Sequence, residues 1–148
     1  MSMEAYALCA RQLDSAAAWQ AAIDALGFDL HLRAEKIPPA SSGHLPATRH
    51  GRSAGFECSI VPLSELTDLY PEIDFGGPWA CVYAFYFGTI SESIGALIAI
   101  AACLEFAGGL AFFPQEDRLL TADQAIQYAR DTVPVVEDLE KELGGRAE

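Results

Sequence analysis

The chain has 148 residues, 51% of them apolar, with 21 acidic and nine basic residues and a formal net charge of −12. That length is one domain, residues 1–148, large enough to bury a core. The acidic balance excludes nucleic acid and an anionic membrane surface as partners, and it suits a basic protein.

The charge is unevenly spread. Nine acids, from Glu57 to Asp117, lie in a segment that has no Lys or Arg between Ser53 and Asp117. Arg33, Lys36, Arg49 and Arg52 cluster earlier, beside His31, His44 and His50. The N-terminus has no basic n-region, and Glu4 falls where a signal peptide would turn apolar, so no secretory signal is expected. Cys9, Cys58, Cys81 and Cys103 show no metal-ligand spacing and read as reduced core thiols. A cytoplasmic location follows from these features.

Met3 to Cys9 alternates weakly and reads as a first strand on its apolar content. Asp14 or Ser15 then caps a helix to Leu26, with Trp19, Ala22, Ile23 and Leu26 on one face and Gly27 ending it. Phe28, Leu30 and Leu32 alternate with Asp29, His31 and Arg33, the pattern of a half-buried strand. Residues 34–52 form the longest loop, where Pro38, Pro39, Ser41, Ser42, Gly43 and Pro46 exclude a regular element. A loop of that length tends to be functional or mobile.

Ala54 to Val61 reads as a strand with Phe56, Cys58 and Ile60 on one face, closed by Pro62. Leu63 to Tyr70 suits a short helix capped by Ser64, running into an acidic turn over residues 71–78. Trp79 to Phe87 is a near-continuous apolar run, expected to be a central strand covered on both faces.

The segment from Thr89 to Phe113 is the centre of the fold. Thr89 and Glu92 have capping-box spacing, the helix over 90–107 is apolar on every side, and Gly108-Gly109 ends it in a left-handed conformation. A helix apolar all round belongs in a core or a bilayer. Glu105 within the run, the glycine break and the absence of flanking bases favour the core. Ile94, Leu97, Ile98 and Ala101 are expected to be almost fully buried. Leu110 to Phe113 makes a short strand and Gln115 to Arg118 a turn. Thr121 and Gln124 form a second capping box, opening a helix through Arg130 with Ile126, Ala129 and Val133 inward. Pro134 should break it, leaving a last helix to Leu143 stopped by Gly144-Gly145. The order β-α-β-β-β-α-β-α-α is an α+β fold: a mainly antiparallel or mixed sheet of about five strands, with helices packed on it. A right-handed crossover could make the first two strands parallel.

No segment carries a recognisable catalytic motif: there is no G-x-S-x-G, no Walker loop and no G-x-G-x-x-G after a strand. The three histidines fit no zinc pattern. No catalytic residue, metal or cofactor is therefore expected. Tyr70, Phe75 and Trp79 flank acids, an arrangement suited to docking a basic protein: aromatics anchor and acids steer. The opposing reading makes the aromatics core and leaves only the acids exposed.

Two stretches resemble known proteins. HLPATRHGRSAGFECSIVPL resembles the LP-x-x-x-x-G-x-x-x-GFE segment of small bacterial proteins encoded beside polymorphic or contact-dependent growth-inhibition toxins. GGLAFFPQEDRLLTADQAIQYAR resembles their GG-x-x-F-x-PQ-x-x-x-LL-x-x-x-x-A ending. Together they span roughly residues 44–130. An aspartate often precedes the PQ in such proteins; Phe113 stands there here, so no role is carried over to that position.

The resemblance implies an immunity protein, not an enzyme, that binds and neutralises a cognate toxin C-terminal domain, one that is basic and of the nuclease kind. The expected docking residues are Glu65, Asp68, Tyr70, Glu72, Asp74 and Phe75, with Glu137 and Asp138 as a second patch. The alternative is a small enzyme or ligand-binding domain with its site in the 34–52 loop around His44 and His50. A third reading is a structural subunit of a larger complex.

Overall fold

The computed structural model describes residues 3–147, with side chains through Leu143. Nine strands and four helices follow the chain: β1 (Met3–Cys9), α1 (Ala16–Leu26), β2 (His31–Leu32), β3 (Gly43–Leu45), β4 (Ala47–Arg49), β5 (Arg52–Ser53), β6 (Phe56–Val61), α2 (Leu63–Leu69), β7 (Cys81–Phe87), α3 (Ile90–Ala107), β8 (Gly109–Phe113), β9 (Arg118–Thr121) and α4 (Ala122–Ala147). The fold class is α+β. The main sheet has six strands in the order β3-β6-β7-β1-β8-β9, every pair antiparallel. A second sheet, β2-β4-β5, has three.

The sequence reading differs from this in several places. β2 is short and pairs with β4 in the small sheet, so no parallel crossover from β1 exists. Two strands, β3 and β4, form inside the Pro-rich 34–52 segment. Each is three residues long; β3 lies between Pro39 and Pro46 and β4 follows Pro46, so the prolines keep outside the ladders. β9 lies where only a turn end was expected. It is short and takes its ladder from β8.

Alternation sorts the main sheet's side chains to two faces. Ala5, Ala7, Cys9, Cys58, Tyr83, Phe85 and Phe113 join the core beneath α1, α3 and α4. Tyr6, Leu8, Val82, Ala84 and Phe112 meet Leu66 of α2 and Phe75 on the other face. β7 and β1 are thus covered on both faces, which is why their sequences run apolar without a polar phase.

α3 sits at the centre of the helical layer. Its capping box is formed: Thr89 Oγ1 accepts from the Glu92 amide at 3.1 Å, and Glu92 Oε1 accepts from the Thr89 amide at 3.0 Å. Ile94, Ile98 and Ala101 are buried, but Leu97 is only half-buried. By length and composition α3 could cross a membrane. Here it packs against the sheet, α1 and α4.

Trp19 of α1 shows how closely the layers meet. Its indole N–H donates to the Ala99 carbonyl at 2.9 Å, and its ring lies against Phe56, Tyr83 and Phe85. The end of α3 differs from the expected left-handed stop. Gly108 has φ 69° but ψ 159°, so the chain extends directly into β8. Gly109 follows at φ 133°, where a Cβ would stand 1.9 Å from the Leu8 carbonyl oxygen. Only glycine lets β8 come this close to β1.

α2 begins after Pro62, without the Ser64 cap; the Ser64 carbonyl instead accepts from the Thr67 hydroxyl. The second capping box is formed between Thr121 and Gln124, in both directions. α4 does not break at Pro134 and runs through Gly144-Gly145 to Ala147. Val133 is buried on one side of the proline, while Glu137 and Glu140 are bound to Arg49 on the other. Tertiary contacts on both flanks hold the helix despite one missing N–H.

Candidate functional site

The residues expected to dock a partner fall into two regions. Glu65 and Asp68 lie on the outer side of α2, and Glu72 and Asp74 in the turn that follows; all four are exposed. Asp74 Oδ1 accepts from the Gly76 amide at 2.9 Å, which fixes the turn. None of the four forms an ion pair among the described residues. The cause is sequential: every neighbour they could reach along the chain comes from the base-free segment.

The aromatics among them turn inward. Phe75 is buried edge-on against Phe112, which corrects its expected role as an exposed anchor. It fills the groove between α2 and the sheet, so its burial comes from folding. Tyr70 is half-buried, edge-on to Phe112 at 4.9 Å, and its hydroxyl donates to Glu4 at 3.2 Å. Tyr6 donates to the same carboxylate at 3.0 Å. Trp79 is half-buried, with its indole N–H on the Phe75 carbonyl. The acids alone face outward, which is the opposing reading of this turn. Burial, with Glu4 close by, raises the Tyr70 phenol above its usual range.

On α4, Asp138 is exposed as expected, but Glu137 is not free for a partner. Its Oε2 lies 3.3 Å from Arg49 Nη1, and Glu140 Oε1 lies 2.7 Å from Arg49 Nη2. Arg49 is held on β4 and points into the body, so the helix folds its carboxylates onto it. Sequence reasoning had no signal for this pair, because 88 residues separate Arg49 from Glu137 (137 − 49).

The same helix helps to build a cluster that was legible only as a His-rich loop. His50 occupies the tip between β4 and β5 at φ 52°. Its Nδ1 lies 2.6 Å from Asp29 Oδ2, and its backbone N–H donates to the same oxygen at 3.3 Å. His31 Nε2 lies 3.1 Å from Asp29 Oδ1, and His50 Nε2 is 3.7 Å from Glu137 Oε2. Asp29 thus serves two histidines and helps to hold His50 in an uncommon conformation.

A cavity of about 380 Å³ opens beside them, with Ile98 and Val133 among its apolar lining and Asp29, His50, Arg130 and Glu137 among its polar groups. Arg49 Nε, buried at its edge, has no hydrogen-bond partner among the described residues. His44 is elsewhere, on the edge strand β3, in a cleft with Glu57, Tyr86 and Glu92. The structure does not bring His44 and His50 together.

All four cysteines are free and buried. Cys9 and Cys103 lie with sulfurs 3.5 Å apart. Burial pushes the Cys58 thiol up, and the Cys103 thiol is raised by its hydrogen bond with Cys9 and by burial. Raised thiols stay protonated and are poor nucleophiles. Among the described residues, no group of three or more His, Cys, Asp and Glu could hold a metal ion.

The motif-bearing stretches are mostly structural. Leu45 and Phe56 are core, and a Cβ on Gly55 would stand 2.8 Å from the Leu45 carbonyl oxygen. Phe113, where an aspartate would precede the PQ, is buried against Tyr128. Comparison with protein-family models, with curated proteins and with solved structures finds no match.

Proposed function

We propose that this chain is a cytoplasmic immunity protein that binds a basic toxin domain and neutralises it. One observation carries the reading: Glu65, Asp68, Glu72 and Asp74 are all exposed, and none of them forms an ion pair among the described residues. Such a surface adds little to folding, because exposed charges contribute little. It raises the association rate with a basic partner, because oppositely charged surfaces steer encounter. The resemblance of residues 44–130 to toxin-linked immunity proteins supplies the kind of partner, and the lack of a catalytic motif agrees with binding.

The test is co-expression with the toxin domain encoded in the neighbouring reading frame. The double variant E72K/D74K should lose protection and bind more weakly while its thermal melt stays unchanged. Association of the wild type should slow as salt rises, since charges more than about 8 Å apart are screened at physiological ionic strength. Full protection with unaltered affinity would overturn the assignment of this surface.

A second reading, a ligand-binding domain, has the His50 cavity in its favour. An uncommon backbone conformation beside a cavity and a buried unpartnered donor are features that ligand sites share. Thermal-shift screening of small polar metabolites tests it: a hit should disappear in the His50→Gln variant, and no hit would dispose of it.

A further inference from the structure

Acids and bases around the His50 cavity are not equally engaged. Asp29 meets His31 and His50, and Glu137 meets Arg49 and His50. Glu140, just beyond, meets Arg49 and Arg52. Each of the three carboxylates is therefore already taken up by N–H partners.

The basic groups keep unused donors. Arg49 is 3% exposed, and its two Nη atoms are committed to Glu137 and Glu140. Its Nε is the buried side-chain polar atom without a partner among the described residues. A buried donor left unmade carries the full cost of its desolvation, which an acceptor reaching it would remove. Arg130 lines the same cavity and forms no ion pair among the described residues. Its Nη2 lies 3.5 Å from the Leu26 carbonyl, too long for a strong hydrogen bond.

This is also where the chain gathers its positive charge. The formal net charge is −12, with nine Lys and Arg in all. Four of them, Arg49, Arg52, Arg130 and Lys141, line this cavity and a cleft of about 300 Å³ that shares Arg49, His50 and Glu137 with it. An anion repelled by most of the surface is tolerated here. Leu26, Phe28, Ile98 and Val133 make the rest of the wall apolar. At about 380 Å³ the cavity lies near the small end of ligand sites, which run from roughly 300 to 1,000 Å³.

We propose that this cavity binds a small organic carboxylate. Its oxygens accept from Arg130 and Arg49 Nε, and its hydrocarbon part lies on Phe28, Ile98 and Val133. Guanidinium and carboxylate make charge-assisted hydrogen bonds, the strong kind. A carboxylate is favoured over a phosphate, because Asp29 and Glu137 stand beside the site and repel a dianion twice as strongly as a monoanion. The inference rests on the ligand-binding reading of this cavity and names the class of ligand; it does not depend on toxin binding.

The test uses hexanoate as the probe, with hexanol and inorganic phosphate as controls. Each is titrated into the isotope-labelled full chain and followed by amide chemical shifts. Hexanoate should move the amides of Phe28, His50 and Val133. Hexanol keeps the apolar part and phosphate keeps only the charge, so each should bind about tenfold more weakly or worse. Arg130→Gln should weaken hexanoate about tenfold, the size of one lost hydrogen bond to a charged group. Arg130 is exposed, so the thermal melt of that variant should match the wild type. Arg49→Lys keeps a charge for Glu137 and Glu140 but has no counterpart of Nε, and it should weaken hexanoate as well.

Hexanol or phosphate binding as tightly as hexanoate would overturn the inference. So would unchanged affinity in Arg130→Gln, or hexanoate shifts confined to other parts of the chain. The metabolite screen separates the two ideas. A hit that is not a carboxylate, lost in His50→Gln, keeps the ligand-binding reading and sinks the carboxylate. An empty screen together with no hexanoate shift sinks both.

Discussion

Arg49 is the buried charged side chain of the described residues, and it fastens β4 to α4 through two carboxylates. Removing one partner of a buried pair strands the other charges, so Arg49→Ala should cost about 3–5 kcal/mol, measured by chemical denaturation. Adding E137Q and E140Q to that variant should recover part of the loss. A surface pair would show neither effect. Tyr128 provides a pH signature. Burial first, then its hydrogen bond to Glu116, pushes its phenol up to about 12 from an ordinary value of 10. Between those values the folded protein keeps a proton that the unfolded chain has lost, so stability is intact below pH 10 and falls as pH rises. Tyr128→Phe should flatten part of that alkaline loss in thermal melts taken across the window; an unchanged slope would show that the phenol does not contribute. Neither residue could be found by reading along the chain. Arg49 sits in a polar loop segment, and its partners lie far away in sequence.

At the level of elements, local signals were legible wherever the cause is local. Both capping boxes, the inward face of α1 and the apolar run of β7 follow from spacing alone, and the structure contains them. The misses have a common origin in long-range contact. Pro134 alone implies a break, but the packing of Val133 and the Arg49 tie keep α4 continuous. β3, β4 and β9 are too short to carry an alternation of their own and exist through their partners. Periodicity likewise makes Leu97 and Ile98 equivalent in an all-apolar helix, whereas a groove of about 230 Å³ beside α4, lined by Leu97, Tyr128 and Val136, separates them. Ile98→Ala should cost about 2–5 kcal/mol, as a fully buried side chain does. Leu97→Ala should cost about 1–2 kcal/mol, since part of its surface stays wet. Equal losses in denaturant titrations would mean that the groove is closed in solution. The docking residues were half legible: the acids of α2 and its turn face water, but Phe75 went to the core and Tyr70 is half-buried against Phe112, and only the far side of the sheet decides that.

Across the whole molecule, a net charge of −12 on one domain is a self-repelling surface. Raising the ionic strength from about 0.01 M to about 0.15 M shortens the screening length from about 30 Å to about 8 Å, so the melting temperature should rise. The Arg49 pairs are buried and screened much less, so they should not reverse the trend. A melting temperature that falls with salt would mean that attractive surface pairs outweigh the repulsion. The strand order also sets a timetable for the chain during synthesis. β1 leaves the ribosome first, yet its two neighbours are β7 and β8, made only when residues 81–87 and 109–113 have emerged. Closing such long loops is slow, and sheets built from distant strands fold in milliseconds to seconds. For most of that time β1 and then α3 are apolar segments without cover, because α4 comes last. The yield of soluble protein should therefore depend on translation speed and chaperones more than on native stability, and slowing translation late in the message, once β8 is out, should raise it.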